Sequence, residues 1–193
     1  MKRVLIVAIL ATMIVGAAVA RPMGHEGSYV AKEMAKITAE EKSRELAAVT
    51  IGDMQSWSDR LSAAARKDAY IARSGGASFM MPGMGQLKNK QTGLGAILLG
   101  SHLAIGIGSL LGSYFLLPAD LRFDTLDYLG TPAAGIETAW KSHSLLDYLP
   151  AMGVSFGGHL LDMGLRALAS HNARTVARQR IESGAVTPSA DRF

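Results

Sequence analysis

Three ionisable side chains of this sequence lie inside apolar stretches, where such residues are rare. His102 lies in residues 92–117, and His159 and Asp162 lie in residues 148–165. Because His159 and Asp162 are three residues apart, a helix would place them on one face. Together with His102 they could bind a metal ion, form a proton or ion pathway, or hydrogen-bond two helices to each other. We favour either the hydrogen bond between helices or an Asp162 that reaches water at the membrane interface, and we predict no metal site.

Two short patterns are typical of enzymes, but neither has the surroundings that its chemistry requires. GVSFG at residues 153–157 matches the G-x-S-x-G motif of α/β-hydrolases, which needs a strand before its serine and a helix after it. No alternating strand pattern flanks the motif here. GMGQLKNKQTG at residues 83–93 lacks the lysine directly before Ser or Thr that a phosphate-binding loop uses. We therefore predict no catalytic residues, no cofactor and no enzymatic activity.

The two apolar stretches are predicted to be transmembrane helices. Residues 92–117 form a run of 26 residues without a formal charge. A helix of that length reaches roughly 39 Å, and the hydrocarbon core of a bilayer is about 30 Å thick. Residues 148–165 are fewer and contain Asp162, and they form the second predicted span. The predicted fold class is therefore all-α, a helical membrane protein.

Small residues recur every four positions along the first span. Such a pattern predicts a face against which another helix packs closely. The face consists of Gly100, Ala104, Gly108 and Gly112, with Gly153 and Gly157 as its counterpart on the second span. Two interpretations are equally good: the two spans pack against each other within one chain, or two copies of the chain form a homo-oligomer.

The first twenty residues have the layout of a secretory signal peptide. Lys2 and Arg3 precede an apolar run, which ends in the small-x-small sequence of residues 18–20. We predict residues 1–20 to be a cleaved signal peptide, with an uncleaved membrane anchor as the alternative. The sequence contains no cysteine, which excludes a lipid-anchored lipoprotein and any disulfide.

Residues 21–75 are predicted to be an external segment that contains one amphipathic helix. Thr38 and Glu41 have the spacing of a capping box, so the helix is expected to begin at Thr38, after an irregular segment. Ser-Gly-Gly at residues 74–76 is expected to end it. Its apolar stripe requires a partner, either the membrane surface or another helix, and an envelope protein bound through residues 38–73 is a further candidate. The stripe consists of Met54, Trp57 and Leu61.

The distribution of charge predicts which segments face the cytoplasm. Residues 118–147, between the two spans, contain five acidic and two basic side chains, whereas Lys88, Lys90 and the residues after Leu165 are mainly basic. The positive-inside rule places the basic segments in the cytoplasm, which leaves residues 21–75 and 118–147 outside. With a signal peptide, this arrangement predicts a membrane protein of the bacterial envelope. The inner membrane is favoured over the outer one because helical spans are retained there.

The last helix is predicted to be basic and to lie against anionic lipid headgroups. Its headgroup-facing residues are His171, Arg174 and Arg178. Nucleic acid is not an expected partner, because the patch is small and no aromatic side chain accompanies it. Gly184 is expected to end the helix, residues 184–193 are expected to be disordered, and the membrane domain covers residues 76–183.

A Pro/Gly hairpin is predicted before the first span, with a short helix broken at Pro82 and a turn at residues 88–91. Either neighbouring helices or Gln86 are expected to bond the backbone groups that the break leaves free. The stretch resembles the PGxGQ…G…G hairpin of several groups of small bacterial membrane proteins, although Leu87 replaces the aromatic residue that many of them have. The residues that carry the resemblance are Pro82, Gly83, Gly85, Gln86, Gly93 and Gly95.

The order of the elements also resembles the thirteen-kilodalton spirochaetal membrane protein family, described as porin-like. That resemblance implies a channel. The residues themselves favour a structural or assembly role in the envelope through helix packing. The alternative is a small oligomeric channel or porin-like pore, in which His102, His159 and Asp162 would face the pore.

Overall fold

The computed structural model describes residues 27–42 and 49–188, and these ranges contain helices and no strand. The all-α prediction is therefore confirmed for the described part of the chain. The predicted signal peptide at residues 1–20 lies outside the described residues, as do residues 189–193 of the predicted disordered tail. The helices are α1 (Tyr29–Glu41), α2 (Ile51–Met80), α3 (Met84–Lys88), α4 (Thr92–Phe115), α5 (Ala133–Lys141) and α6 (Leu145–Glu182), with a 3₁₀ turn at Ala119–Leu121.

The described residues divide into two compact units. Unit 1 contains residues 27–42, 49–74 and 174–188, and unit 2 contains residues 75–173. Helices α2 and α6 contribute to both units, because the unit boundaries fall inside these two helices.

Asp68 of α2 determines where α1 begins. Its carboxylate accepts hydrogen bonds from Ser28 Oγ (2.6 Å) and from the backbone amides of Tyr29 (2.9 Å) and Val30 (3.1 Å). A helix leaves its first amides without an internal partner, so this carboxylate satisfies them. The predicted helix start at Thr38, after an irregular segment, is therefore wrong. The Thr38 hydroxyl lies inside α1 and donates to a backbone carbonyl one turn earlier.

Helix α2 begins at a reciprocal capping box formed by Thr50 and Asp53. The Thr50 amide donates to the Asp53 carboxylate (2.9 Å), and the Asp53 amide donates to Thr50 Oγ1 (3.2 Å). The helix continues through residues 74–76, where its end was expected. The reason is packing: burial of one face of α2 stabilises the helix more than the two glycines weaken it. That buried face consists of Ile71, Ser74, Gly75 and Ser78.

The apolar stripe of α2 lies beside α1 and lines an open groove with it, so the partner that covers the stripe stays a prediction. Arg60 of α2 bonds two carboxylates of α1, Glu33 (2.7 Å) and Glu40 (2.7 Å), which holds the two helices side by side. Between the helices is an open groove of about 570 Å³. It is lined by the stripe residues Met54, Trp57 and Leu61 together with Val30 and Met34 of α1.

Unit 1 joins the N-terminal helices to the C-terminal part of α6. Ile71 of α2 is buried against Ala177 and Ile181 of α6, and Arg178 Nη2 donates to the carbonyl of Gly27 (3.2 Å). The described parts of α1 and α2 in unit 1 therefore lie beside the end of α6, as segments on one side of a membrane would. The prediction that they lie on opposite sides is wrong, because the charge rule on which it depended contains no information about contacts.

The chain reverses direction twice at the start of unit 2. Residues 81–83 turn it from α2 into the five-residue α3, and residues 89–91 turn it again into α4. The predicted hairpin is thus present, but the helix before Pro82 is the 30-residue α2, and the short helix follows Pro82. Gly83 makes the first turn possible because its φ of 99° is one that other residues rarely adopt.

Helix α4 lies antiparallel to α6 in unit 2. Among the described residues, α4 is the one helix that is long and apolar enough to cross a membrane. The second predicted span and the predicted basic C-terminal helix are not separate elements, since both lie in the continuous 38-residue helix α6. That helix ends at Glu182, just before Gly184, whose φ is 72°.

Candidate functional site

An ionic cluster joins three helices of unit 2. His102 Nδ1 of α4 lies 2.5 Å from Asp162 Oδ1 of α6, and Arg166 Nε donates to Asp162 Oδ2 (2.7 Å). Arg166 Nη1 also donates to the carbonyls of Phe79 (3.2 Å) and Met80 (2.7 Å). Those carbonyls are at the C-terminus of α2, where a helix leaves acceptors unsatisfied and carries a partial negative charge.

The ionic cluster gives each of its charges a partner inside the chain. Asp162 accepts from Arg166, which stays protonated in proteins, and from the imidazole of His102. The exposed fractions of the His102 and Asp162 side chains are 22% and 15%. An arrangement of this kind can hold helices together, and a His–Asp pair can also pass a proton.

An amide cluster fixes the hairpin to α6. Gln86 is completely buried. Its Oε1 accepts from Ser78 Oγ (2.7 Å), and its Nε2 donates to the carbonyl of Ala169 (2.8 Å) and to Asn172 Oδ1 (3.2 Å). Asn89 Nδ2 donates to the carbonyl of Ala173 (2.9 Å). Four polar side chains therefore hydrogen-bond α2, α3 and α6 to one another, namely those of Ser78, Gln86, Asn89 and Asn172.

The predicted small-residue face is divided between contacts and open space. A methyl group added at Gly112 would lie 3.0 Å from Val154, and one added at Gly158 would collide with Ser109, so these positions form the close approach of α4 and α6. Methyl groups added at four of the predicted positions would meet nothing within 4 Å. Those positions are Gly100, Gly108, Gly153 and Gly157. Ala104, between the first two, is exposed.

His159 is not brought into the ionic cluster. It is exposed on α6, whereas His102 and Asp162 face each other. In the described ranges, no three His, Asp or Glu side chains converge in a way that would hold a metal ion. Ser155 of the GVSFG sequence lies inside α6 and not at a strand-to-helix turn.

The three predicted headgroup residues lie on α6 but have different surroundings. His171 is exposed, and Arg174 is half-buried. Arg178 belongs to unit 1, where its guanidinium donates to the carbonyl of Gly27. Its side chain therefore has a role within the chain, in addition to any role at a membrane.

Asp147 lies outside the two apolar stretches. Its side chain caps the first turn of α6 by bonding Ser144, the residue before the helix. Its carboxylate accepts from the Ser144 backbone amide (2.8 Å) and from the Ser144 hydroxyl (2.9 Å). These two hydrogen bonds, the backbone one foremost, hold the pKa of Asp147 below its ordinary value. A lowered pKa in the folded state means that the ionised carboxylate stabilises the fold.

We expect the start of α6 to loosen in acid. The contribution of Asp147 is fully present above the pKa of an unfolded aspartate, about 3.9, and is lost as the pH falls through the lower folded value. Amide hydrogen exchange of residues 144–148 should therefore accelerate as the pH is lowered through this range, after correction for the intrinsic exchange rate. In Asp147→Asn the corrected rate should be fast at every pH. A wild-type rate that does not change with pH would contradict the prediction.

Comparisons with known proteins give no family for this chain. No family model, curated protein or solved structure matches it. The resemblance to membrane proteins with a PGxGQ hairpin therefore remains a prediction.

Sequence reasoning identified His102, Asp162 and Gln86 but missed most of their partners. Arg166 follows Asp162 by one helical turn, a spacing that could have indicated the ion pair. Ser78, Asn89 and Asn172 carry no such signal. They become partners only because the chain reverses at residues 81–83 and because α6 packs beside the hairpin.

Proposed function

We propose that this chain is an integral membrane protein of the bacterial envelope, exported and held in the inner membrane, with a structural or assembly role through helix packing. The supporting observation is the apolar surface of α4. Ile97, Ile107 and Leu110 are 66%, 57% and 69% exposed, although each would gain about 1.5–3 kcal/mol by leaving water. A lipid environment removes this cost for the whole helix.

A packing role is favoured over ion conduction because the polar side chains of unit 2 are hydrogen-bonded within the chain. A water-filled path needs polar side chains that face an open passage. In unit 2, Gln86, Asn89 and Asp162 are bonded to neighbouring helices. Their hydrogen bonds hold the hairpin and the two antiparallel helices in one arrangement, and unit 1 remains available to meet other components of the envelope.

The exposed small-residue face of α4 is the proposed surface of assembly. Gly100, Ala104 and Gly108 are exposed, and each lies one turn from the next. Small residues at this spacing let two helices approach closely in a membrane. A second copy of the chain offers the same face, so a symmetric pair would bury both.

Disulfide crosslinking tests this proposal directly, because the natural chain has no cysteine. Ala104→Cys should give a dimer on a non-reducing gel after mild oxidation in native membranes. Leu110→Cys, on another exposed face of α4, is the matched control and should stay monomeric. A monomer for both variants would exclude assembly through this face. Equal crosslinking of both would indicate random collision.

The alternative function, a small oligomeric channel, is supported by the partial exposure of His102 and Asp162 near the middle of α4 and α6.

The structural role predicts that Asp162→Asn lowers the free energy of unfolding by about 2 kcal/mol, since hydrogen bonds to charged groups are worth about 1.5–3 kcal/mol. Asp59→Asn, at an exposed position of α2, should leave it unchanged. Neither the wild type nor Asp162→Asn should conduct ions in a planar bilayer. A wild-type conductance that Asp162→Asn alters would favour the channel.

A further inference from the structure

The segment between α4 and α6 exposes aromatic and aliphatic side chains at its surface. Phe123 is 76% exposed, and Leu129 is exposed completely. Phe115 and Leu116, at the end of α4, continue this surface, and so do Leu145 and Leu146 at the start of α6. We call these residues, together with Tyr128, Trp140 and Tyr148, the aromatic belt. It lies at the end of α4 that is farther from the hairpin.

The aromatic belt is held in place and is not a loose loop. Arg122 donates to the carbonyls of Phe115 (2.5 Å) and Leu117 (3.0 Å), which ties the segment to the C-terminus of α4. Leu121 is almost completely buried. The rings of Phe123 and Tyr128 lie 4.9 Å apart, and those of Trp140 and Tyr148 lie 5.5 Å apart.

The tyrosines of the belt have an apolar body and a bonded polar end. The Tyr128 hydroxyl donates to the carbonyl of Leu121 (2.7 Å), and the Tyr148 hydroxyl donates to the carbonyl of Trp140 (2.6 Å). Tyr114 of α4, next to the belt, has the same combination, since its hydroxyl donates to Asp124 (3.0 Å). Side chains with this combination concentrate at the level of the lipid headgroups, where one part of the ring is in an apolar medium and the other in a polar one.

We propose that residues 118–147 lie in the headgroup region of the bilayer and form an interfacial platform at the end of α4. This inference depends on the proposed function, because it requires α4 to cross the membrane. The occupant is the lipid surface, since the belt adjoins Phe115 and Leu116 at the end of α4, which are exposed like the other large apolar side chains of that helix. From its acidic composition this segment is predicted to be a free external loop. In our proposal it lies in the headgroup region instead.

The charge of the platform determines which lipids it fits. Residues 118–147 carry five acidic and two basic side chains, a formal charge of −3. Anionic headgroups would repel that charge. Insertion must therefore depend on the aromatic and aliphatic side chains, and it should be the same or weaker when anionic lipid is added to a zwitterionic membrane.

The two tryptophans of the chain allow a matched test in phosphatidylcholine vesicles. Trp57→Phe leaves Trp140 of the belt as the single tryptophan, and Trp140→Phe leaves Trp57 of unit 1 as the control. Trp140 should lose most of its fluorescence to a spin label near the lipid glycerol and little to a label deep in the acyl chains or to aqueous iodide. Trp57 should be quenched less than Trp140 by the shallow label. Added phosphatidylglycerol should not increase the quenching of Trp140.

A second variant keeps the test valid if a tryptophan substitution prevents folding. Leu129→Cys changes a fully exposed side chain, and a polarity-sensitive dye attached there should shift to the blue when the protein enters vesicles. Strong iodide quenching of Trp140 together with an unshifted dye would overturn the platform and would leave its aromatic surface to a protein partner.

Protection of α4 separates this failure from failure of the proposed function. A single cysteine at Ile107, in the middle of α4, should react with a membrane-impermeant maleimide only after detergent is added. If Ile107→Cys is protected while Trp140 is accessible to iodide, α4 crosses the membrane and only the platform is excluded. If Ile107→Cys reacts freely in vesicles, the membrane function itself fails.

Discussion

Replacing Gly83 with alanine should lower the free energy of unfolding by about 4 kcal/mol or prevent folding. The φ of 99° at this position would cost a residue with a side chain roughly 1–3 kcal/mol. The added methyl group would also collide with the carbonyl of Gly95 and would lie 3.1 Å from the Leu99 amide. Both groups belong to the backbone of α4, so relief requires a shift of the helix and costs roughly a further 1–3 kcal/mol.

Gly106→Ala is the matched control for Gly83→Ala. Gly106 lies inside α4, and a methyl group added there meets nothing within 4 Å. Because alanine is the better helix former, this variant should be as stable as the wild type or more stable by up to about 1 kcal/mol. Denaturant unfolding in detergent, followed by circular dichroism, compares the two. Equal stability of Gly83→Ala and the wild type would mean that residues 81–83 do not make this turn.

The sequence predicted the elements that depend on local composition. Residues 92–117 have no formal charge over a length suited to a membrane, and the structure has a helix at Thr92–Phe115. The break at Pro82 was also predictable, because proline and neighbouring glycines disfavour a continuing helix. Hydrophobic periodicity identified the stripe around Trp57, which α1 faces in the structure.

Features that depend on distant contacts were not predictable in the same way. Glycines at residues 75 and 76 normally favour a helix end, but α2 passes through them because its small residues form a buried face. The start of α1 depends on Asp68, which is 40 residues away from Ser28 in the chain. The assignment of segments to sides of the membrane failed for the same reason, since contacts between Tyr29 and the end of α6 leave no trace in local composition.

The candidate site was predicted in part because buried polar residues stand out in an apolar sequence. His102 and Asp162 are conspicuous in their stretches, and the structure places them 2.5 Å apart. His159 is equally conspicuous, yet it lies on the exposed side of α6. Helical spacing places it near Asp162 on the same helix, but it does not reveal which side of that helix faces α4.

Replacing Gln86 with leucine should lower the free energy of unfolding by about 3 kcal/mol. Leucine has a similar size but no polar atoms, so the Ser78 hydroxyl loses its acceptor, and the Ala169 carbonyl and Asn172 Oδ1 lose a donor. Each polar group left buried without a partner costs about 1–3 kcal/mol. Gln55→Leu, at an exposed position of α2, is the control and should change stability by less than about 0.5 kcal/mol.

A double-mutant cycle determines whether this loss belongs to the contact between the hairpin and α6. Asn172→Ala removes the side-chain partner of Gln86 on α6, and the two substitutions together should cost less than the sum of their separate effects, by about 1 kcal/mol. Coupling of this size would mean that the amide cluster joins the hairpin to α6, as a packing role requires. Additive effects with little loss in Gln86→Leu would mean that Gln86 is not needed for stability. The polar residues of unit 2 would then be available for another purpose, and the channel would become the better explanation of the buried polar residues.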